Sequence, residues 1–363
     1  MRIALVAPLI ESVPPQLYGG TERVVSFLTE ELVQLGHDVT LFASGDSVTS
    51  ATLVPGCDRA LRLSPVTREP VPLYFVMLDK LRRCAAEFDV IHFHIDLLPQ
   101  ALFADVPCCT LATLHGRLDI PDLAPFYRHF DAMPLVSISD DQRTPLPRAN
   151  WAKTVYHGLP KLLYRPAKSP RGDYVAFLGR ISPEKRVDRA IAIAKGANIP
   201  LRIGAKVDPV DQHYFDTEIK PLLDHPLITY LGEVGESGKN ELLGNARALL
   251  FPIDWPEPFG LVMIEAMACG TPVIAYPHGS VPEIVEPGLT GFLVDDIDQA
   301  VAAVQAAQSL DRRRIRARFT TRFSARRMAE DYVALYTGLA AGAVLPPMHS
   351  DSVDRQLPVL APG

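Results

Sequence analysis

The features this chain lacks narrow its possible roles before any motif is read. No stretch approaches the ~18 consecutive apolar residues of a membrane span, and the N-terminal apolar run from Arg2 to Ile10 is interrupted by Pro8 and stopped by Glu11, too short for a secretory leader. Cysteine is scarce: Cys57, Cys84, Cys108, Cys109 and Cys269 are odd in number, include an adjacent pair unsuited to bridging and contain no Cys-x-x-Cys. That pattern specifies no disulfide framework and is expected of a reducing, cytoplasmic setting. Neither sign of charge dominates, since 36 Lys and Arg against 42 Asp and Glu leave a net charge of −6, so no nucleic-acid footprint is expected. The Gly-x-Gly-x-x-Gly of dehydrogenases, long internal repeats and low-complexity blocks are also missing.

The 363 residues are 48% apolar, enough to bury the cores of about two domains. Short apolar runs read as strands: Ile3 to Ala7, Val39 to Phe42, Asp89 to His94, Cys109 to Leu114, Leu135 to Ser139 and Lys153 to Tyr156. Pro160, Pro166 and Pro170 then mark a connection, after which Tyr174 to Gly179, Leu201 to Gly204, Ile228 to Gly232 and Ala248 to Phe251 alternate with helical stretches, including ones around Tyr214 to Leu223 and Lys239 to Asn245. This alternation predicts parallel sheets covered on both faces. Between Phe42 and a helix around Leu73 to Ala86 the chain reads as a polar connection. After the first strand, a loop with Pro14, Pro15, Tyr18, Gly19 and Gly20 leads to a helix with Thr21 as its expected N-cap and Gly36 as its end.

The chain is organised around Glu257-Pro258-Phe259-Gly260-Leu261-Val262-Met263-Ile264-Glu265, which runs on to Gly270-Thr271-Pro272. A strand ending at Phe251 feeds a Pro-rich turn, and a short helix is expected from near Phe259 to Gly270. The first turn of such a helix leaves backbone N–H groups unpaired at the positive end of its dipole, which makes an anion site. Phe259, Gly260, Leu261 and Val262 would offer those groups, with Gly260 letting a phosphate come close. Glu265, more than a turn further on, repels phosphate but accepts hydrogen bonds from a diol, and Glu257 sits at the mouth. Together these features suggest a nucleotide-sugar.

The Glu-x7-Glu running into Gly-x-Pro-Val-Ile resembles the signature of glycosyltransferase family 4. Gly179-Arg180-Ile181-Ser182-Pro183-Glu184-Lys185 resembles the family's Gly-Arg-x-x-x-x-Lys, and Gly279 to Ile284 and Thr290 to Val294 are also similar, with Ser280 standing where a second glycine is usual. The resemblance implies the GT-B fold: two Rossmann-like, doubly wound parallel-sheet α/β domains facing a central cleft. It further implies an acceptor domain over 1–165, a donor domain over 172–322, a helix over 323–340 crossing back and a disordered tail over 341–363.

The activity implied is that of a retaining, metal-independent hexosyltransferase using a nucleotide diphosphate sugar, with uridine preferred as the base. Arg180 and Lys185 would grip the diphosphate, His115 and Glu257 would orient the sugar, and Glu265 would hold the ribose. Gly19 and Gly20 would let the donor approach the first helix, and Gly232 and Val234 would lie near the base. The acceptor, a carbohydrate, lipid or small molecule, would meet loops such as Leu9 to Tyr18 and Gly116 to Arg128, which one sequence does not decode.

Several residues admit other readings. His92, His94 and Asp96 alternate, so a strand would project them to one face, as in a metal-dependent hydrolase. Asp296-Ile297-Asp298 has the form of a metal-binding Asp-x-Asp, but its place at the head of an Ala-rich helix fits capping. Lys206 follows a strand end and could face the cleft, although a surface position is expected. The arginines at 312, 313, 314, 316, 318, 322, 326 and 327 read as a solvated helix face, with a patch for anionic lipid head groups as the alternative. A protein that binds nucleotide-sugar without catalysis is the remaining option.

Overall fold

The structure, a computed structural model, describes residues 1–16, 19–64, 69–106 and 108–341. Tyr18 and all but the first residue of the tail expected to be disordered lie outside the described residues. Seven strands build the first sheet: β1 (Arg2–Val6), β2 (Asp38–Ser44), β3 (Thr52–Cys57), β4 (Val90–Phe93), β5 (Cys109–Thr113), β6 (Leu135–Ser137) and β7 (Trp151–Thr154). They lie in the order β3-β2-β1-β4-β5-β6-β7, all parallel. The second sheet holds β8 (Val175–Arg180), β9 (Leu201–Lys206), β10 (Ile228–Gly232), β11 (Leu249–Phe251), β12 (Val273–Ala275) and β13 (Gly291–Leu293). Its order is β10-β9-β8-β11-β12-β13, again parallel.

Helices cover both faces, which is why the central strands are apolar without alternation: Ile3 to Ala7 are fully buried. In each sheet the strand order reverses beside the first strand, at β1/β4 and at β8/β11. Ligands in such sheets sit beyond the strand C-termini at these reversals.

The structure corrects several local expectations. The supposed polar connection contains β3, an edge strand with Pro55 and Gly56 inside it. An edge tolerates proline because one side of the strand needs no ladder N–H. The helix expected from Thr21 begins at Gly20, with Gly19 as an extended N-cap and no side-chain cap bond. The helix of the central motif starts at Leu261 rather than near Phe259. The segment around Tyr214 to Leu223 is one α-turn, a π-turn at Phe215–Ile219 and a 3₁₀ turn at Lys220–Leu223. Pro221 accounts for the irregularity, because it lacks an N–H and its ring crowds the carbonyl four residues back. Asp296 caps the Ile297–Ala306 helix by accepting from Gln299 N, in keeping with the capping reading.

Two crossings join the halves and run side by side. Leu159 N donates to Phe323 O at 2.9 Å and Ala325 N to Leu159 O at 2.8 Å. A Cβ on Gly158 would lie 2.4 Å from Ser324 O, so glycine is required by the approach of two backbones. The final helix, Ala325–Ala340, returns to the first sheet and buries Met328, Ala329, Tyr332, Leu335 and Tyr336 among Ile3, Leu5, Val25 and Leu28. Among the described residues no helix is long and apolar enough to cross a membrane.

Most of the arginine cluster is internal wiring rather than a solvated or lipid-facing surface. Arg312 donates to Gly244 O and Ala246 O, and Arg316 to Tyr164 O, Ala268 O and Lys161 O. Arg318 and Arg322 share Glu286, Arg326 meets Glu31, and Arg327 reaches Asp331, Tyr156 O and His157 O. We expect Arg316→Met to cost roughly 2 kcal/mol in urea unfolding, because it strips donors from carbonyls packed beneath it. The same variant should leave sedimentation with anionic vesicles unchanged.

Burial also sets a pH dependence. Desolvation holds His92, His94 and His157 well below the ordinary imidazole range. Below about pH 6.5 the unfolded chain takes up protons that the folded chain excludes, so stability is full above that pH and is lost as pH falls. Glu11, Glu22 and Glu283, raised by burial, oppose this in the acid range. The expected slope is about 1.4 kcal/mol per pH unit for each excluded proton. Urea unfolding at pH 7.5 and 5.5 should therefore show a shallower loss in His157→Asn than in the wild type.

Candidate active site

The C-terminal ends of both sheets face one cavity of about 860 Å³ between the domains. The first sheet contributes the Gly19-Gly20 loop after β1 and His115 after β5, and His157 lies just beyond β7. The second contributes Arg180 and Lys185 after β8, Lys206 at the end of β9, Val234 after β10 and the Glu257 to Glu265 segment after β11. Of the residues singled out from the sequence, Gly19, Gly20, His115, Arg180, Lys185, Val234, Glu257, Phe259, Gly260, Leu261, Val262 and Glu265 all line this cavity. Gly232 does not: it ends β10 at φ +70°, and its role is to turn the chain so that Glu233 and Val234 face inward.

The central motif owes its shape to Gly260, the helix N-cap, which sits at φ +76°, ψ +68°. A side chain there would be strained and would press on Met263 at 2.8 Å. Met263 N is already paired with Gly260 O, so the N–H groups that could face the cavity are those ahead of it in the turn. Phe259 is instead 2% exposed and anchors the turn. Ser280, where a second glycine was expected, strengthens the turn: its N donates to Glu257 O at 2.9 Å and its Oγ to Phe259 O at 2.9 Å. Gly279, at φ +61°, lies so close that a Cβ would meet Glu257 N at 2.3 Å.

The two expected cations are held in place by carboxylates. Lys185 Nζ donates to Glu257 and lies 4.9 Å from the Trp255 ring centre, while Trp255 Nε1 donates to Glu257 at 3.0 Å. Arg180 donates to Glu184 at 2.7 Å, with Asp208 at 3.5 Å and Asp211 at 3.7 Å. Burial alone would raise Glu184, but hydrogen bonds from Ser182, the backbone and Arg180 carry it below the usual carboxylate range. Lys206, expected at the surface, is only 13% exposed and pairs with Asp208 at 2.8 Å inside the cavity. Three cations and the helix N-terminus thus line one cavity, and both kinds of group favour an anion.

Glu265 is 1% exposed, so its charge must be compensated. Its Oε1 accepts from Arg23 Nη1 at 2.7 Å, with Tyr164 OH at 3.2 Å and Lys239 Nζ at 3.6 Å. Its Oε2 is buried without a partner. Arg23 also meets Glu236 at 2.5 Å. The sequence reading missed Arg23, although a cation in the first turn of a helix opposes the helix dipole and is therefore a signal in itself.

In the cavity wall His115 Nε2 lies 2.9 Å from His94 Nδ1, and its ring stacks on His157 at 5.2 Å. Desolvation pushes His115 down to about 3, so it is a neutral group at ordinary pH. His92 is occupied on both ring nitrogens, by Tyr336 OH and Thr113 Oγ1, each at 2.7 Å. Asp96 lies exposed beyond the end of β4. The expected His92, His94 and Asp96 face is therefore not assembled as a ligand set, and among the described residues no group of three His, Cys, Asp or Glu side chains could hold a metal ion. The tertiary structure spends those imidazoles on packing the returning helix and on His115.

Comparison with known proteins agrees with this geometry. A model described as Glycosyltransferase Family 4 matches residues 18–197, and one described as Glycosyl transferases group 1 matches residues 165–324. The chain is 26% identical over 350 residues to a phosphatidyl-myo-inositol mannosyltransferase of Mycolicibacterium smegmatis, covering 84% of each. A D-inositol 3-phosphate glycosyltransferase of the same organism is 34% identical over 143 residues, a match spanning 38% of this chain and 32% of that protein. Among solved structures, AviGT4, a glycosyltransferase involved in avilamycin A biosynthesis, superposes with a TM-score of 0.72 at 25% identity, covering 94% of this chain and 98% of that one. Anabaena HepE in complex with UDP and glucose superposes with a TM-score of 0.69 at 18% identity, covering 93% and 99%. With two family models matched across its two domains and the GT-B architecture in common with these structures, the chain belongs to the family 4 glycosyltransferases.

Proposed function

We propose that this glycosyltransferase is a retaining hexosyltransferase whose donor is a nucleoside diphosphate sugar, UDP-hexose first among them, and whose acceptor is a hydroxyl compound bound by loops of the first domain. The observation that carries the reading is Glu265, which lines the same cavity as the three cations and the helix N-terminus and whose Oε2 is a buried acceptor without a partner. A ribose diol supplies the donors that oxygen lacks. The adjoining diphosphate supplies the anion that Arg180, Lys185 and the N–H groups of Gly260 to Val262 are arranged to meet. The uridine preference draws on the fold neighbour that holds UDP and glucose.

In the proposed reaction the bond from the sugar's anomeric carbon to the β-phosphate oxygen breaks, and a bond from the acceptor oxygen forms on the same face. The acceptor's proton passes to the departing phosphate oxygen, so no carboxylate pair on opposite faces is needed. Negative charge grows on the diphosphate as the bond breaks, and preorganised cations are then worth more than in the ground state. Glu257, fixed by Lys185 and Trp255, and the neutral His115 orient the sugar. The site as proposed needs no resident metal, since the cations already face the anion. The hydrolase alternative loses support because both nitrogens of His92 are occupied.

Calorimetry and thermal shift with UDP, GDP, ADP and their sugars, with and without EDTA, test the donor assignment. One nucleotide series should stabilise the protein whether or not EDTA is present, by about 2.7 kcal/mol at 100 times its Kd. Stabilisation by none of them, or only without EDTA, would overturn it. With the donor identified, Lys185→Ala should lower kcat by ~10²–10³. A donor that binds tightly yet is neither transferred nor slowly hydrolysed would instead mark a binding protein.

A further inference from the structure

Arg23 belongs to the first domain, on the Gly20–Gln34 helix, yet its ion pairs are with the second. Nη1 lies 2.7 Å from Glu265 Oε1 and Nη2 lies 2.5 Å from Glu236 Oε1, and the side chain is 13% exposed. Among the described residues, Glu265 and Glu236 have one further cation in the second domain, Lys239, 3.6 Å from Glu265 and 3.2 Å from Glu236. Tyr164, on the crossing segment, adds a hydroxyl 2.6 Å from Glu236 Oε2. With only second-domain groups counted, the pair carries two negative charges against one positive. With Arg23 in place the charges balance.

All four charged side chains line the cavity in which the proposed donor sits, and two carboxylates beside a diphosphate would repel it. The neutralising charge comes from the opposite wall and is present only when the walls are together. Burial alone would raise Glu236, but Lys239 and Arg23 hold it below the usual carboxylate range, in keeping with a carboxylate that is charged and paired.

We propose that Arg23 is a positioning residue and an interdomain latch: it closes the cleft onto Glu236 and Glu265, cancels their repulsion of the donor diphosphate, and commits Glu265 Oε1 so that Oε2 is left for the ribose. The inference rests on the donor assignment made above. The latch couples closure to charge, so an anionic nucleotide favours the closed form more than the uncharged nucleoside does. A planar guanidinium spans two carboxylates with its two terminal nitrogens; an ammonium is a single point charge and holds one.

The test compares wild type, Arg23→Met and Arg23→Lys, each also combined with Glu236→Gln, using calorimetry with UDP, GDP and ADP and with the matching nucleosides. Arg23→Met should weaken the preferred diphosphate on the order of tenfold and its nucleoside distinctly less. Arg23→Lys should fall between, and Glu236→Gln should shrink the Arg23→Met effect by removing one of the charges the arginine cancels. Small-angle scattering without nucleotide should show a larger radius of gyration for Arg23→Met than for wild type. Unchanged diphosphate affinity, an equal loss for nucleoside and diphosphate, or an unchanged radius of gyration in Arg23→Met would each overturn the latch. If wild type binds no nucleotide, the donor reading fails while the scattering comparison still decides whether Arg23 holds the cleft closed.

Discussion

A carboxylate at 1% exposure cannot stand alone, and much of this cleft is arranged around the compensation of Glu265. The charge is carried inward by the helix that follows β11, and its partners arrive from three places: Arg23 from the first domain, Tyr164 from the crossing segment and Lys239 from the Glu236–Asn245 helix. Removing such a partner from a buried pair costs far more than the pair is worth at a surface, because the remaining charge has no water to turn to. The relative placement of the two domains is therefore tied to the state of one side chain. Its other oxygen, Oε2, is buried without a partner.

The same logic recurs at the crossings. Gly158 lets two backbone segments lie against one another, and the arginines of the last two helices hold the carbonyls of the strands and turns they pass. Guanidinium groups suit this task because their fork meets two or three acceptors at once without the strong hydration of an ammonium. A stretch with many like charges in sequence thus has little like-charge surface in space. The returning helix brings Tyr332 and Tyr336 against Thr113 and His92, and the neighbouring His94 meets His115 in the cavity wall, so the end of the chain supports the site of the first domain.

The cations on the second domain's wall are equally held in place. Lys185 rests on Trp255 and Glu257, and Arg180 stands among Glu184, Asp208 and Asp211. An anionic group entering there would meet cations already held in place, so little side-chain freedom would be lost at that moment. Gly260, Gly279 and Ser280 fix the turn that carries the N–H groups, two by adopting backbone conformations that side chains resist and one by tying the turn together.

The sequence by itself determined the alternation of strands and helices, the break between two sheets and the position of the motifs that line the cavity, because these depend on local periodicity, glycine and proline and the spacing of charged residues along the chain. Arg180, Lys185, Glu257 and Glu265 were legible for that reason, as was Gly260 at a helix start. Only the tertiary structure decided which distant groups meet. Arg23 lies 242 residues from Glu265, His94 spends its Nδ1 on His115, Lys206 turns inward, and Arg312 and Arg316 turn onto carbonyls. Edge strand β3, with Pro55 inside it, was hidden because its pairing comes from β2 and not from its own propensity. Charge compensation and ladder pairing are properties of the folded surroundings, and a residue's type does not say which neighbour the fold will give it.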